Sequence, residues 1–206
     1  FSKGFKRTLY KQGMNSMEVI KNFFEFEKLF KNTNKFLWLT FFDLHEAFNY
    51  NTILSNFMMT DNKNKTKIDE RYNDQYIKSY FDECKNLDEN LKIIYDYINQ
   101  NYEKNEILVS LVSDHGQTFF DNDQNWLKNN RIKIPWMLKG KNVEMCETSE
   151  ITENIDILPT FASLNNFNFD YKKIDGNIPS MLGGREKKCA ITQSIYPDKT
   201  YKTRIS

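Results

Sequence analysis

The stretch Ile107–Gly116 reads I-L-V-S-L-V-S-D-H-G and dominates the interpretation of the fold. Apart from one serine, its first six residues are large and aliphatic, which is typical of a short strand buried on both faces of a parallel sheet. In open α/β sheets, functional side chains gather beyond the carboxyl ends of the strands. We therefore expect Asp114 and His115 to lie where such a fold performs its chemistry, with Gly116 allowing a tight turn behind them.

The neighbouring side chains of Asp114 and His115 have two possible roles. A carboxylate oxygen and an imidazole nitrogen side by side can share a divalent cation. Alternatively, Asp114 caps the next helix and His115 is an ordinary hydrogen-bonded surface residue. The motif alone does not choose between the metal site and the helix cap.

The composition limits the class of protein. With 206 residues, the chain suits one domain that is large enough to bury a substantial core. Its 29 basic residues nearly balance 28 acidic ones, so no charge excess indicates binding to nucleic acid or to an anionic membrane surface. The most apolar stretch, Phe36–Phe42, is too short to span a bilayer. The cysteines Cys84, Cys146 and Cys189 fit neither a disulfide framework nor a zinc pattern, and we predict ordinary packing residues.

Helix and strand patterns alternate along the chain. Ser16 is a plausible N-cap for a helix over residues 16–32. Apolar residues recur every three or four positions in 73–100, which predicts a long amphipathic helix that packs on a sheet. We expect Phe36–Phe42 and Ile107–Val112 to be neighbouring or near-neighbouring buried strands of one sheet, with these two helices covering its faces. The alternation favours an α/β fold with a largely parallel sheet.

The second half of the chain continues this alternation with shorter elements. The patterns predict an irregular strand, a helix with a proline in its first turn, a looped segment and a last short strand. In chain order these are Ile132–Leu138, Ile151–Leu164 with the helix proper from about Leu158, Asp175–Gly184 and Cys189–Ile195.

Seven short motifs follow one another in the chain. They are Phe41–Glu46 (F-F-D-L-H-E), Tyr76–Ile98 with Leu87-Asp88, Ser113–Gly116 (S-D-H-G), Lys133–Pro135 (K-I-P), Ile155–Thr160 (I-D-I-L-P-T), Asp175-Gly176 with Leu182, and Thr192–Tyr201. In this order they resemble the landmarks of the sulfatase family of the alkaline phosphatase superfamily. The resemblance implies a largely parallel sheet sandwiched by helices, with residues 1–206 forming part of one catalytic domain.

The resemblance also implies a site. By family position, Asp114 and His115 would bind a divalent metal (calcium, manganese or zinc), and His45 would contact the ester group or the leaving oxygen. Lys128 is a candidate for binding the anion, although such a lysine is often only a solvated loop residue. The implied reaction is hydrolysis of a sulfate ester, and the implied substrate is a sulfated or phosphorylated small molecule or glycan. Relatives of this kind are commonly extracytoplasmic or attached to a membrane.

The chain departs from the family pattern at the nucleophile. The family places it in a Cys/Ser-x-Pro-x-Arg motif, or uses a threonine in the phosphotransferase branch, and no cysteine here is followed by that motif. We therefore expect the nucleophile upstream of Phe1, and no catalysis by this chain alone. A threonine nucleophile would instead indicate a phosphoglycerol or phosphoethanolamine transferase of cell-envelope synthesis. A non-catalytic relative that binds a glycan or a protein is the third possibility.

Two further expectations concern geometry and affinity. The side chains of His45, Asp114 and His115 should line one cleft. Metal binding by this chain should be weak, because two donors are fewer than a catalytic zinc requires. If binding is tight, Asp43, Asp121 and Asp123 are the first additional ligands to test.

Overall fold

The computed structural model describes residues 8–9, 14–45, 73–117, 127–168, 170–195 and 201–206. The chain divides into two compact units, Phe1–Asn101 and Tyr102–Ser206. The predicted loop over residues 46–72 and most of the predicted loop Gln117–Asn130 lie outside the described residues. The mixed α/β class is confirmed, since helices and strands both occur in the described part of the chain.

The first helix, α1, runs from Ser16 to Leu29, as the sequence predicted to within three residues at its end. Its N-cap is Asn15 rather than Ser16. The Asn15 side chain accepts a hydrogen bond from the Glu18 backbone N–H at 3.0 Å, and the Glu18 carboxylate accepts one from the Asn15 N–H at 3.3 Å. This reciprocal pair needs an acidic residue three positions after the cap, and only Asn15 has one, so the predicted cap was wrong by one position.

The second helix, α2, extends over Asn73–Asn101 and confirms the predicted long amphipathic helix. It packs against α1 in the core of the first unit, where Ile20, Phe23 and Ile94 are buried. The rings of Phe23 and Tyr97 meet edge to face, with their centroids 5.6 Å apart. One face of α2 is buried in a hydrophobic core, as its periodicity predicted, but its partner is α1, and the described part of the first unit contains no sheet for the two helices to cover.

Residues 36–42 form no strand in the described part of the chain, so the predicted strand was wrong, and so was the prediction that it shares one sheet with Ile107–Val112. Leu37, Leu39 and Phe41 pack against the core of the first unit, whereas Phe36 and Trp38 are 58% and 65% exposed. Burial thus alternates with a period of two, although the sequence shows an almost unbroken apolar run. A run of this composition does not distinguish one buried face from two.

The second unit contains two small antiparallel sheets. Strand β1, Leu108–Val112, pairs with β2, Trp136–Gly140, and β3, Ile191–Ile195, pairs with β4, Tyr201–Ile205. The predicted largely parallel sheet is absent from the described residues. The sequence could not reveal this, because the pattern of a strand carries no information about the direction of its partner strand. The β1 strand is also not buried on both faces, since Leu111 is 46% exposed.

The remaining predicted elements are present with shifted boundaries. The predicted strand Ile132–Leu138 begins later than expected. Asn129–Ile132 form a helical turn, α3, and the strand itself is β2. A 3₁₀ turn at Asn154–Asp156 leads into α4, Ile157–Leu164, with Pro159 in its first turn, where its missing N–H costs no hydrogen bond. The predicted loop Asp175–Gly184 includes one 3₁₀ turn, Ser180–Leu182.

The three cysteines are free, and Cys146 and Cys189 are exposed, so the packing role predicted for those two was wrong. Among the described residues, no helix has the length and apolar character needed to cross a bilayer.

Candidate metal site

The S-D-H-G motif forms a compact turn directly after β1. The Ser113 hydroxyl donates to the His115 carbonyl oxygen at 2.7 Å, and Asp114 Oδ1 accepts from the His115 backbone N–H at 2.8 Å. These local bonds fix the turn while leaving both functional side chains accessible, with Asp114 85% and His115 44% exposed. Residues 115–117 are not helical, so Asp114 caps no helix that begins immediately after it.

Asp114 and His115 present two donor atoms on the same side of this turn. Asp114 Oδ2 and His115 Nε2 lie 3.7 Å apart. Metal–ligand bonds to carboxylate oxygen and imidazole nitrogen are about 2.1 Å long, so two of them can span about 4.2 Å and one ion can reach both atoms. The spacing of the two donor atoms therefore fits a shared cation, provided that the Arg131 guanidinium, 3.5 Å from His115 Nε2, moves away.

The second nitrogen of His115 favours the form of the ring that binds metals. Nδ1 lies 2.9 Å from the Gly116 carbonyl oxygen. A carbonyl oxygen only accepts, so this bond requires the proton on Nδ1, and in a neutral ring the lone pair is then on Nε2. A backbone carbonyl in this position is a common outer partner of metal-binding histidines, because it fixes both the tautomer and the ring orientation.

Gly116 joins the turn to α3 by a close backbone approach. Its N–H donates to the Arg131 carbonyl oxygen at 2.7 Å, and a Cβ at this position would lie only 2.2 Å from the Asn130 carbonyl oxygen. The glycine is therefore required for packing between two segments, in addition to the tight turn that the sequence suggested. The Arg131 guanidinium lies 3.5 Å from His115 Nε2, which puts a positive charge beside the pair.

Two further residues contact the S-D-H-G turn, and the sequence assigned neither of them a role in the site. The Asn154 side chain donates to the carbonyl oxygens of Ser113 and Asp114, each at 3.3 Å. It therefore supports the turn from a segment about 40 positions later in the chain. Arg131 contacts His115 across 16 positions of the chain. Neither contact has a local sequence signal, because both depend on how distant segments pack.

Lys128 occupies the N-cap position of α3. Its carbonyl oxygen accepts from the N–H groups of Arg131 at 2.9 Å and Ile132 at 3.0 Å, so the residue is tied to the segment that contacts Gly116. The anion-binding role of Lys128 stays a prediction.

His45 lies in the first unit, whereas Asp114, His115 and Lys128 lie in the second. Residues 43–45 form a helical turn, and the His45 side chain is exposed. Asp43 anchors this turn, because its buried Oδ1 accepts from the Ser16 N–H at 2.9 Å at the start of α1. The convergence of His45 with Asp114 and His115 in one cleft stays a prediction.

The structure describes only some of the residues that could add metal donors to Asp114 and His115. No group of three or more His, Cys, Asp or Glu side chains that could hold a metal ion occurs within the described ranges. Asp43, one of the possible extra ligands, uses one oxygen to bind α1, and its Oδ2 has no hydrogen-bond partner among the described residues. Asp121 and Asp123 lie outside the described residues.

The I-D-I-L-P-T motif supports the second unit through a buried charge. Asp156 is 1% exposed and accepts hydrogen bonds from Lys187 Nζ at 2.7 Å, the Asn177 N–H at 2.7 Å and the Glu153 N–H at 2.8 Å. Burial alone would lower the pKa of Lys187, but its hydrogen bonds to Asp156 and Glu153 outweigh that effect and raise the pKa above its ordinary value. We refer to Glu153, Asp156, Asn177 and Lys187 as the Asp156 cluster.

Comparison with known proteins identifies the family. The family model described as Sulfatase matches residues 3–167, which include His45, Asp114, His115 and Lys128 and extend over both units. The last two motifs of the sequence resemblance, at Asp175-Gly176 and Thr192–Tyr201, lie beyond this match. No curated protein matches the chain. The matched segment covers most of the 206 residues, and the chain belongs to the sulfatase family, a family of hydrolases with the alkaline phosphatase-like fold.

Proposed function

We propose that this chain is part of a sulfatase that hydrolyses sulfate esters with the help of a divalent metal. The observation that carries the proposal is the donor pair of the S-D-H-G turn. Asp114 Oδ2 and His115 Nε2 are 3.7 Å apart, and the Nδ1 contact with the Gly116 carbonyl directs the Nε2 lone pair outward, where an ion would replace the Arg131 guanidinium that lies 3.5 Å from Nε2. Family membership supplies the class of reaction.

The residues of this chain have separate roles in the proposed reaction. Asp114 and His115 would hold the ion, and Ser113 keeps their turn closed by its hydrogen bond to the His115 carbonyl oxygen. When bound, the ion would stabilise negative charge on the ester oxygens. Lys128 would bind the anionic group of the substrate, and His45 would donate a proton to the leaving oxygen. A serine- or cysteine-derived residue, or a threonine, would be the nucleophile.

The proposal requires further metal ligands. A catalytic zinc usually has three protein ligands and calcium takes six to eight oxygen atoms, whereas this turn supplies one carboxylate and one imidazole. A mixed oxygen and nitrogen donor set suits zinc or manganese better than calcium. The missing ligands would come from outside the described residues.

Titration calorimetry tests the metal site. Zinc, manganese and calcium would be titrated into this chain and into a longer protein that contains it. We expect weak binding by the chain, tight binding by the longer protein, and loss of the tight binding in Asp114→Ala. Asp82→Ala removes an exposed carboxylate from α2 and is the matched control. Tight binding that survives Asp114→Ala would refute the proposed ligand.

The leaving-group role of His45 has its own test in the longer protein. His45→Gln should lower kcat for an alkyl sulfate by about 100-fold, because a poor leaving group depends on protonation. The same variant should change kcat for 4-nitrophenyl sulfate much less, since nitrophenolate leaves without a proton. Equal losses for both substrates would exclude proton donation by His45.

The donor set also supports a second candidate function. A neutral imidazole beside a carboxylate is compatible with zinc or manganese, as expected for a phosphoglycerol or phosphoethanolamine transferase. Metal-dependent transfer from a phosphodiester lipid, without cleavage of sulfate esters, would favour the transferase. Metal binding without either reaction would favour a non-catalytic member of the family.

A further inference from the structure

Arg204 forms hydrogen bonds with the two residues that flank Lys128, the candidate anion-binding residue. From strand β4, its Nη1 donates to the Leu127 carbonyl oxygen at 2.8 Å and its Nη2 donates to Asn129 Oδ1 at 2.5 Å. These acceptors belong to the residues immediately before and after Lys128. A planar guanidinium can make both bonds in one fixed geometry, which a lysine ammonium cannot reproduce.

The segment held by Arg204 is connected to the S-D-H-G turn. The Lys128 carbonyl oxygen accepts from the Arg131 N–H at 2.9 Å, and the Arg131 carbonyl oxygen accepts from the Gly116 N–H at 2.7 Å. The Arg131 side chain reaches His115 Nε2 at 3.5 Å. Hydrogen bonds of 2.5 to 2.9 Å therefore join Arg204, the backbone around Lys128 and Gly116 of the S-D-H-G turn.

The hairpin that carries Arg204 is itself anchored. Strand β4 pairs along its length with β3, and Arg204 lies opposite Thr192. At the start of β3, the Ile191 N–H donates to Glu153 Oε1 at 3.0 Å, which ties the hairpin to the Asp156 cluster. Arg204 thus lies on a strand that is held by its pairing with β3 and, through β3, by Glu153.

We propose that Arg204 is a positioning residue that fixes the backbone on both sides of Lys128, so that the Lys128 side chain starts from a fixed point close in the chain to the segment that contacts Gly116 and can bind an anionic ester there. The inference rests on the proposed function and adds a residue that lies outside the family match. Its physical basis is preorganisation, because a loop that is already fixed loses less conformational freedom when the anion binds.

Hydrogen–deuterium exchange tests the structural part of this proposal. Arg204→Ala should accelerate exchange at the amides of Gly116, Arg131 and Ile132 by about tenfold, and exchange in α4 should stay unchanged. Lys202→Ala removes a positive charge from the same strand and is the matched control. Unchanged exchange at Gly116 and Arg131 in Arg204→Ala would overturn the proposal.

Steady-state kinetics in the longer, metal-loaded protein tests the functional part. With 4-nitrophenyl sulfate, Arg204→Ala should raise KM about tenfold and change kcat by less than about twofold, while Arg204→Lys should restore part of the affinity. In a Lys128→Ala background the same substitution should have no further effect on KM, because Arg204 acts through Lys128. An equal effect in both backgrounds would refute the proposed role.

A milder variant covers the case in which Arg204→Ala does not fold. Asn129→Ala removes one acceptor and leaves Arg204 in place, and we expect faster exchange and a raised KM, each by about threefold. If neither the exchange rates nor KM changes in Asn129→Ala, the proposal is overturned. If the unmodified protein cleaves no sulfate ester, the proposed function fails, and the exchange experiment still decides whether Arg204 orders this loop.

Discussion

The Asp156 cluster gives the sharpest prediction for stability. In Lys187→Met, the buried Asp156 carboxylate keeps its two backbone donors but loses its cation, and Glu153 loses the same partner. The side chains of Asp156 and Lys187 are only 2% and 15% exposed, so water replaces little of the lost interaction. Removal of one partner from a buried ion pair costs about 3 to 5 kcal/mol, and we expect the free energy of unfolding to fall by that amount.

Urea unfolding followed by circular dichroism measures this loss, and thermal unfolding should show a decrease in Tm of about 10 °C for a chain of this size. Lys173→Met is the matched control, because Lys173 forms an ion pair with Asp170 in which the two side chains are 81% and 53% exposed. That exposed pair should contribute about 0 to 1 kcal/mol. If Lys187→Met costs no more than Lys173→Met, the Asp156 cluster does not stabilise the fold as argued.

Two other predictions follow from the same geometry. Because the pKa of Lys187 is raised in the folded protein, its contribution to stability is fully present below its ordinary value of 10.5 and disappears as the pH rises through the folded pKa. Urea unfolding should therefore show a constant stability difference between the unmodified protein and Lys187→Met from about pH 7 to about pH 10, and a smaller difference above it; a difference that increases above pH 10 would contradict the sign. Gly116→Ala should destabilise the protein by about 1 to 3 kcal/mol, since its Cβ would overlap the Asn130 carbonyl oxygen, and calorimetry should show weaker zinc binding. An alanine variant with unchanged stability and affinity would mean that this close approach is not required.

The features that the sequence predicted well depend on local patterns. The repeat of apolar residues in 73–100 predicted α2 to within one residue, because one helix face must be buried wherever the helix packs. The apolar run before Ser113 likewise predicted β1, and the residues after it identified the candidate site. These signals act within a few residues of each other and need no knowledge of the remaining fold.

The features that were missed depend on contacts between distant segments. The run at residues 36–42 has the composition of a buried strand, but a strand requires a hydrogen-bonded neighbour, which composition cannot specify. The antiparallel pairing of β2 with β1 was missed for the same reason, since the sequence predicted a largely parallel sheet. Lys187 and Arg204 each bind partners more than 30 positions away, and no local motif marks either residue.

The S-D-H-G turn is supported by the segment that carries the I-D-I-L-P-T motif, whose residues take no part in the proposed reaction. Asn154, immediately before the I-D-I-L-P-T motif, donates to the carbonyl oxygens of Ser113 and Asp114, while Asp156 within the motif is buried in its cluster. A displacement of this segment would therefore act on the turn directly, through Asn154. It would also act through Glu153, which binds β3 and so affects the hairpin that carries Arg204. Substitutions in the Asp156 cluster should consequently weaken metal binding as well as the fold, although none of these side chains contacts Asp114 or His115 in the described part of the second unit.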